Sequence, residues 1–322
     1  TVACIVITAY TYTGGFVTVA YTDFFQAIFL LFVILVVPIH ALFRVDNGVE
    51  GILQTAQMKN ISLALLPDTS WKTLVSILFL ILSWGLGYFG QPHVITKFMG
   101  IRNPHDINKS KYFGMSWMAT ALLAAAAIGF VGISYFPEEL QNPELVFIEM
   151  VKSLYLPFVA GFILCGVLAA SVSTMDSQIL VCASVLSEDF YKHFFHRSAT
   201  PKQLLNISRW GVIIIAGLAL FFAVNRNSTI LEAVLYAWSG LGSAFGPLVL
   251  TSLYFKRANK YGAVAGILIG GTIAGVWGSI NSYLIDFPIP SMIPGFFLSL
   301  ISIYTVSLLT EKSLANQEVT MT

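Results

Sequence analysis

Residues 156–186 read LPFVAGFILCGVLAASVSTMDSQILVCASVL, an apolar stretch that contains the small polar run Leu168–Gln178. A helix of about 20 apolar residues is long enough to span a bilayer. Lipid does not solvate hydroxyl, carboxylate or amide groups, so such groups at membrane depth need partners, for example a cation or a water-filled pathway. The stretch therefore predicts a membrane-spanning helix that carries a polar site.

The whole composition is that of a polytopic membrane protein. The 322 residues are 57% hydrophobic and only 10% charged, whereas soluble domains carry about 25% charged residues. Only Tyr21-Thr22-Asp23 separates the first two apolar stretches, so we expect a tight turn there. The predicted spans are nine in number: 2–20, 23–43, 72–95, 113–136, 156–186, 208–225, 230–255, 261–285 and 290–310.

The charges of the loops predict the orientation of the chain. Lys and Arg concentrate in segments 97–111, 187–209 and 256–260, whereas segment 137–150 holds only acidic charges (Glu138, Glu139, Glu144 and Glu149). Because cytoplasmic loops are enriched in Lys and Arg, we place the basic segments and the C-terminus inside. The acidic segment, the 226–229 turn and the Asp286 turn are then outside, together with a partly helical loop at 44–71.

The polar run has a face that suits a weakly held cation. Ala170, Ser173 and Thr174 are spaced i, i+3 and i+4 and share one side of a helix. One backbone carbonyl and two hydroxyls are hard, uncharged donors, which suit sodium better than zinc. Asp176 and Ser177 follow toward the cytoplasmic end and can line an exit. The alternative is a seam of small residues whose hydroxyls bond back to the helix backbone.

A second polar segment, SWGLGYFGQPH at 83–93, predicts an interrupted helix, because three glycines and a proline disfavour a continuous one. Interrupted helices in transporters line cavities. Trp84, Tyr88 and Pro92 recur every four residues, which indicates either a substrate face or an aromatic belt at the membrane interface. Asp23 is either a helix cap with Thr22 or an ion attractor at the inner mouth.

The segment YAWSGLGSAFGP at 236–247 also combines aromatic residues, small residues and a proline. This pattern is typical of a flexible gate and also of a close helix-packing seam. The three cysteines, Cys4, Cys165 and Cys182, lie in apolar segments with no spacing typical of a metal site or a disulfide framework. We interpret them as free thiols.

Four motifs together resemble the sodium:solute symporter family, and within it the bacterial sodium/proline branch. They are GYFGQPH at 87–93, AASVST at 169–174, SEDFY at 187–191 and YAWSGLGSAFGP at 236–247. The resemblance extends over almost the whole chain, and the motifs occur in the family's order. The GQPH element favours the proline branch over the sugar and pantothenate branches.

The resemblance implies an all-α fold of the leucine-transporter type, with inverted repeats. On that plan, residues 1–43 end the first repeat, 72–255 form the second repeat, 261–310 are peripheral helices and 311–322 form a cytoplasmic tail. The first core helices, including the one whose unwound backbone binds sodium and substrate in the family, are then absent from this chain. We therefore expect that these residues alone do not transport.

The family's functional positions fall on residues already singled out. The resemblance assigns sodium binding to the Ala170 carbonyl and to the Ser173 and Thr174 hydroxyls. It assigns the inner ion pathway to Asp23. Substrate binding falls on the face formed by Trp84, Tyr88 and Pro92.

The function implied by the resemblance is sodium-coupled symport of L-proline across a bacterial plasma membrane by alternating access. Sodium is the coupling ion, the bilayer is the environment, and no other metal, cofactor, nucleic acid or obligatory protein partner is expected. The alternatives are a symporter of another small organic solute, the membrane sensor module of a signalling protein, or a channel. A membrane enzyme is disfavoured, because the spans contain no His/Asp metal cluster and no nucleophile–base pair.

Overall fold

The computed structural model describes residues 2–64, 66, 68, 70–138, 140–224, 230–284, 287 and 289–320, and only the backbone of 2–4, 282–284 and 312–320. The predicted turns at 226–229 and Asp286, and Glu139 of the acidic segment, lie outside the described residues. The described part of the chain has no strands. Its helices are α1 (Val2–Leu42), α2 (Gly48–Met58), α3 (Trp71–Gly87), α4 (Pro92–Met99), α5 (Ile107–Tyr135), α6 (Val146–Leu154), α7 (Pro157–Ser184), α8 (Pro201–Val224), α9 (Ile230–Tyr254), α10 (Lys260–Leu284) and α11 (Met292–Thr320).

Eight helices within the described residues are long and apolar enough to cross a membrane. Seven of them match the third to ninth predicted spans. The eighth, Ile5–Leu42, overlaps both of the first two predicted spans and has 38 residues. As a straight rod it would measure about 57 Å, almost twice the ~30 Å hydrocarbon thickness of a bilayer.

The helix α1 is divided at Gly15, whose φ of 60° and ψ of −158° are not helical. Only glycine adopts such a conformation at little cost. The predicted turn at Tyr21-Thr22-Asp23 was therefore wrong: those residues are helical, and the break lies six residues earlier, at the Gly14-Gly15 pair. A polar tripeptide is not needed for the turn, because two glycines suffice.

The two arms of α1, residues 2–14 and 16–42, run in opposite directions. In the second arm, Asp23 meets Ser177 of α7 and Val33 packs near Gly166 of α7, so this arm is antiparallel to α7.

The first arm is antiparallel to the neighbouring helix α8. Its Tyr12 meets Arg209 near the start of α8, and Ile5 shares a cavity with Leu220 near the end of α8. The helices α7 and α8 are antiparallel, since Ala183 near the end of α7 faces Gly211 and the earlier Ile179 belongs to the same cluster as the later Ala216. The first arm is therefore parallel to α7. The chain therefore folds into a helical hairpin at Gly15.

The second polar segment is an interrupted helix, as the sequence predicts. The helix α3 ends at Gly87, a 3₁₀ turn covers Tyr88–Gly90, and α4 begins at Pro92. The start of α3 is well capped, since Ser70 Oγ accepts a hydrogen bond from Thr73 N at 3.3 Å. Hydrogen bonds from Ser70 and Thr73 lower the pKa of the exposed Asp68 carboxyl beside this cap.

The chain forms two compact units, one of residues 1–64 with 100–225 and one of 65–99 with 226–322. The first unit holds a core of aliphatic side chains from α1, α2, α5, α6 and α7: Val33, Val37, Ala41, Ile52, Val131, Met150, Val151, Ala160 and Ile163. The external loop predicted at 44–71 contributes α2 to this core, and so it is partly helical as expected.

In the second unit, α10 and α11 pack through a glycine stripe. A Cβ on Gly266 would collide with Ile303, and one on Gly270 would collide with the Ser243 backbone of α9. Ser299 Oγ donates to Gly266 O at 2.9 Å. Small residues permit such close approach of helices in a membrane, where packing replaces the hydrophobic effect.

Candidate functional site

The hydroxyl face of α7 converges on one backbone carbonyl. Ser173 Oγ lies 3.2 Å and Thr174 Oγ1 lies 3.4 Å from Ala170 O, and both hydroxyls donate to it. Ala170 and Ser173 are half-buried and Thr174 is exposed, so the niche is open on one side. The residues that the sequence grouped on one helix face are thus brought together in space.

Both hydroxyls bond back to the helix backbone, as the alternative interpretation of this face requires, and the same spacing of oxygens also suits a hard cation. Oxygens about 3.4 Å apart form the edge of an octahedron whose centre is about 2.4 Å from each corner, which is a normal distance for a hard cation bound by oxygen. The two hydroxyls would have to turn their protons away from Ala170 O to present lone pairs. The bonds that would be given up are long, which makes this exchange inexpensive.

A second group of oxygens lies one turn further along α7, around Asp176. Asp176 is 0% exposed. Tyr10 Oη, from the first arm of α1, donates to Asp176 Oδ2 at 2.5 Å. Ser177 Oγ lies 3.3 Å from Asp23 Oδ2 and 3.4 Å from Asp176 Oδ1. The hairpin at Gly15 makes this possible, because Tyr10 and Asp23 belong to its two opposite arms.

Ser177 lies at the junction of the two carboxylates. Its hydroxyl has a single proton, and its bond to Ser173 O, at 2.9 Å, is the shortest of its three contacts. Two carboxylates that approach the same oxygen repel each other strongly in a medium of low dielectric. The arrangement can therefore attract a cation, and it lies on the same face of α7 as the niche of Ala170.

Asp23 does not cap a helix. It lies within the second arm of α1, and Thr22 Oγ1 bonds back to Thr18 O and Val19 O at 3.0 and 2.9 Å. The capping alternative is therefore excluded by the position of the break at Gly15.

Sequence reasoning missed Tyr10, and it placed Asp176 beside an exit without bringing it together with Asp23. A signal was available for Asp176, because an ionisable residue inside a span is a functional candidate by default. No comparable signal marked Tyr10, whose partner is 166 positions away in the chain.

The aromatic residues of the interrupted helix meet a third aromatic residue, Trp238 of α9. The Trp84 and Trp238 ring centroids lie 5.3 Å apart, and the Tyr88 and Trp238 rings meet edge to face at 4.8 Å. Trp84 is half-buried and Tyr88 is 41% exposed. Pro92 begins α4 beyond the break and is half-buried. The break thus separates Pro92 from Trp84 and Tyr88, although the three residues recur every four positions.

Trp238 also holds the break through polar contacts. Its Nε1 donates to Ser83 O at 3.2 Å, and its carbonyl accepts from Gln91 Nε2 at 3.3 Å. Gln91 is only 2% exposed. The backbone and side chain of Trp238 therefore bind both sides of the interruption, before and after Tyr88.

The glycines at the break permit this close approach. A Cβ on Gly87 would overlap the Trp238 indole, and one on Gly90 would lie 2.5 Å from Leu241 O and 2.6 Å from Gly242 Cα. The helix α9 continues through Pro247. Gly242 and Gly246 pack on Met292 and Phe296 of α11. Of the two interpretations of 236–247, these contacts favour the packing seam.

Comparison with known proteins agrees with this architecture. Residues 1–270 match the model of the sodium:solute symporter family. The chain is 39% identical to the high-affinity proline transporter PutP of Bacillus subtilis and covers 64% of it. It is 41% identical to sodium/proline symporter 2 of Staphylococcus saprophyticus and covers 60% of it. These matches include 95% and 94% of the chain, which thus spans less than two thirds of the length of these relatives.

A solved structure shares the fold. A sodium-coupled sialic acid symporter in a substrate-bound, outward-open state aligns over 95% of this chain and 65% of its own, with a TM-score of 0.72 and 20% identity. The all-helical fold of the leucine-transporter type expected from the sequence is thereby confirmed. The family match covers most of the chain, and the chain belongs to the sodium:solute symporter family.

Proposed function

We propose that the full-length gene product carries L-proline into the cell together with sodium, by alternating access between the two sides of the membrane. The observation that carries this proposal is the set of oxygens along α7, in which a neutral niche at Ala170, Ser173 and Thr174 is followed by the carboxylates of Asp23 and Asp176. The similarity to proline transporters supports proline as the solute.

In this proposal sodium is a transported substrate with two successive environments. The Ala170 carbonyl and the Ser173 and Thr174 hydroxyls hold it weakly, because none of these ligands carries a net charge. Asp23 then attracts it toward the inner mouth, with Asp176 and Ser177 beside the pathway. Weak binding followed by a charged exit suits an ion that must be released at every cycle.

Proline would bind at the break in α3. Its pyrrolidine ring would pack on Trp84 and Tyr88, and Pro92 would shape the end of the site. If sodium binding raises the affinity for proline, then by linkage proline binding raises the affinity for sodium by the same factor. The membrane potential adds about 2.3 kcal/mol per charge for each 100 mV, which favours inward movement of sodium.

The topology and setting follow from the same proposal. We place the protein in the bacterial plasma membrane as a multi-pass transporter that is not an enzyme, with the C-terminus inside. Residues 1–43 would end the first inverted repeat, 72–255 would form the second, and 261–310 would be peripheral. Labelling of a single cysteine introduced at Gln141 or at Lys256 by a membrane-impermeant reagent tests the orientation: Gln141 should react in intact cells and Lys256 should not.

The decisive experiment is uptake of labelled proline by the full-length protein reconstituted in liposomes. We expect uptake to require sodium, and we expect a Ser173→Ala/Thr174→Ala double variant to raise the sodium concentration for half-maximal uptake at least tenfold. Ser171→Ala is the matched control, since Ser171 is on the same helix and also bonds back to its backbone, but to Val167 O and not to Ala170 O. Unchanged sodium affinity in the double variant would refute the sodium site. Sodium-dependent uptake of a different solute, with no proline uptake, would refute the substrate.

A further inference from the structure

One amide side chain in the second arm of α1, that of Gln26, carries a buried oxygen that accepts no hydrogen bond. The residue as a whole is half-buried, and its Oε1 has no hydrogen-bond partner within the described part of the chain. Such an atom is costly inside a protein. One reason that native proteins keep it is a bound water or ion that completes it.

Gln26 lies on the side of α1 that packs inside the first unit. Val19 and Val33, seven residues before it and seven after it, are 3% and 2% exposed. Because seven residues are close to two turns of a helix, the three side chains share one side of α1. A Cβ on Gly166 of α7 would lie 3.4 Å from Val33. Gln26 is therefore on the side of α1 that faces α7.

The register of these two antiparallel helices places Gln26 opposite Ser173. From the close approach of Val33 and Gly166, seven residues toward Asp23 lead to Gln26 on α1, and seven residues in the same direction lead to Ser173 on α7. Asp23 itself contacts α7 one turn further on, at 3.3 Å. Two observed approaches of the helices thus bracket the pair, one on each side.

Ser173 joins the two groups of oxygens along α7. Its Oγ belongs to the neutral niche, 3.2 Å from Ala170 O, and its carbonyl accepts from Ser177 Oγ at 2.9 Å. The Ser177 hydroxyl in turn reaches Asp23. Gln26 therefore lies on the opposite wall at the level where the neutral niche gives way to the carboxylates.

We propose that Gln26 Oε1 is a ligand of the transported sodium ion, supplied by α1 from the wall that faces Ser173. This inference rests on the proposed function and adds a residue to its ion path. An amide oxygen is a hard donor without charge, so it adds a ligand and keeps the binding weak. A hard cation approaches such an oxygen to about 2.4 Å, closer than the ~2.8 Å of a water molecule. The ion therefore fits beside an oxygen from which water is excluded.

The test is Gln26→Leu, which removes the oxygen and keeps most of the volume of the side chain. Binding of radiolabelled sodium to the full-length protein in detergent is measured without proline. We expect the sodium concentration for half-maximal binding to rise at least fivefold. Gln178→Leu is the matched control, because it is the same change at an exposed position of α7, and it should leave sodium binding unchanged. Unchanged sodium affinity in Gln26→Leu would overturn the proposal.

Thermal unfolding separates a sodium ligand from a merely structural residue. Without sodium, Gln26→Leu should not lower the unfolding temperature, since Oε1 has no hydrogen bond to lose. The increase in unfolding temperature that sodium causes in the wild-type protein should shrink in the variant, because a ligand that binds the folded state stabilises it in proportion to its affinity. A lower unfolding temperature without sodium, together with a full sodium-induced increase, would show a structural role and overturn the proposal.

Two further variants keep the test decisive. Gln26→Glu retains an oxygen at this position, and it should keep the sodium binding that Gln26→Leu loses. Equal losses in the two variants would overturn the proposal. Gln26→Met, an unbranched apolar side chain of similar length, replaces Gln26→Leu if that variant does not fold.

The outcome is separable from that of the proposed transport function. Sodium binding that depends on Gln26, in a protein without sodium-driven proline uptake, would refute the transport proposal and leave Gln26 as a sodium ligand. Weaker sodium binding in Ser173→Ala/Thr174→Ala, with normal binding in Gln26→Leu, would leave the transport proposal standing and overturn the role of Gln26.

Discussion

The oxygen cluster on α7 and the aromatic cluster at the break in α3 are built by different means. Around Asp176 the contacts are hydrogen bonds between side chains: Tyr10 donates to Asp176, and the Ser177 hydroxyl faces the Asp23 and Asp176 carboxylates as a donor, at distances from 2.5 to 3.4 Å. Around Trp238 the contacts are close packing, with Gly87 and Gly90 against an indole ring and a helix backbone.

Because they are built differently, the two clusters tolerate different substitutions. A packed contact fails when volume is added, because backbone atoms cannot move aside. A polar cluster tolerates changes of similar shape but fails when a charge or a donor is removed. Added volume should therefore damage the aromatic cluster and spare the oxygen cluster. Removal of a charge or a donor should damage the oxygen cluster and spare the aromatic cluster.

The largest effect is expected from Gly90→Ala. The added methyl group would lie within 2.9 Å of three backbone atoms of α9, so we expect a loss of about 3 kcal/mol of stability, the upper end for overpacking. Gly85→Ala is the matched control, because a Cβ at Gly85 has nothing within 4 Å and alanine favours the helix. Thermal unfolding in detergent measures both. Equal unfolding temperatures of the Gly90→Ala and Gly85→Ala variants would contradict the close packing of Gly90 on α9.

The next effect is expected from Tyr10→Phe, which removes the donor to Asp176. A hydrogen bond to a charged group contributes about 1.5–3 kcal/mol, so a loss of about 2 kcal/mol is expected, together with weaker sodium binding. Tyr12→Phe is the control, since Tyr12 contacts Arg209 through its ring and its carbonyl, which phenylalanine retains. The same loss in both variants would show that the Tyr10 hydroxyl is not special.

Asp176→Asn removes the charge of the buried carboxylate and keeps its shape. Asparagine retains an acceptor for Tyr10, so folding should persist. We expect the sodium concentration for half-maximal proline uptake to rise about tenfold, equivalent to about 1.4 kcal/mol. Asp106→Asn removes a carboxylate that is 51% exposed and paired with Lys109, and it should change nothing. An unchanged sodium concentration for half-maximal uptake in Asp176→Asn would show that this carboxylate takes no part in the ion pathway.

The smallest effect is expected from Trp238→Phe, which retains an aromatic ring but removes the bond to Ser83 O. One neutral hydrogen bond contributes about 1 kcal/mol, and we expect half-maximal uptake to need severalfold more proline. Trp117→Phe removes an equivalent bond in the first unit, from Trp117 Nε1 to Ala27 O. Trp117→Phe should lower the free energy of unfolding about as much as Trp238→Phe does, and it should leave the affinity for proline unchanged. A shift in proline affinity in both variants would show that the effect is not local to the break.

The third to ninth apolar spans, the interruption of α3 and the hydroxyl face of α7 were all predictable from the sequence. Each depends on residues within one segment: the length of an apolar run, the density of Gly and Pro in 83–93, and the spacing of Ala170, Ser173 and Thr174. Insertion into a bilayer is governed by such local properties, because each span must satisfy its own backbone hydrogen bonds.

The position of the turn in α1 was not predictable by the same logic. A polar tripeptide and a glycine pair are both plausible turns, and only the contacts of the two arms with α7 and α8 decide between them. Once the turn lies at Gly15, Tyr10 and Asp23 reach the same stretch of α7 from opposite arms.

Composition and short motifs are local features, and they are enough to assign this chain to the multi-spanning membrane proteins of the sodium:solute symporter family. The burial of Asp176 beside Asp23, and the contacts by which Trp238 joins the two sides of the break in α3, become visible only in the folded chain. These contacts link residues more than 140 positions apart, and such pairings depend on how the helices pack in three dimensions.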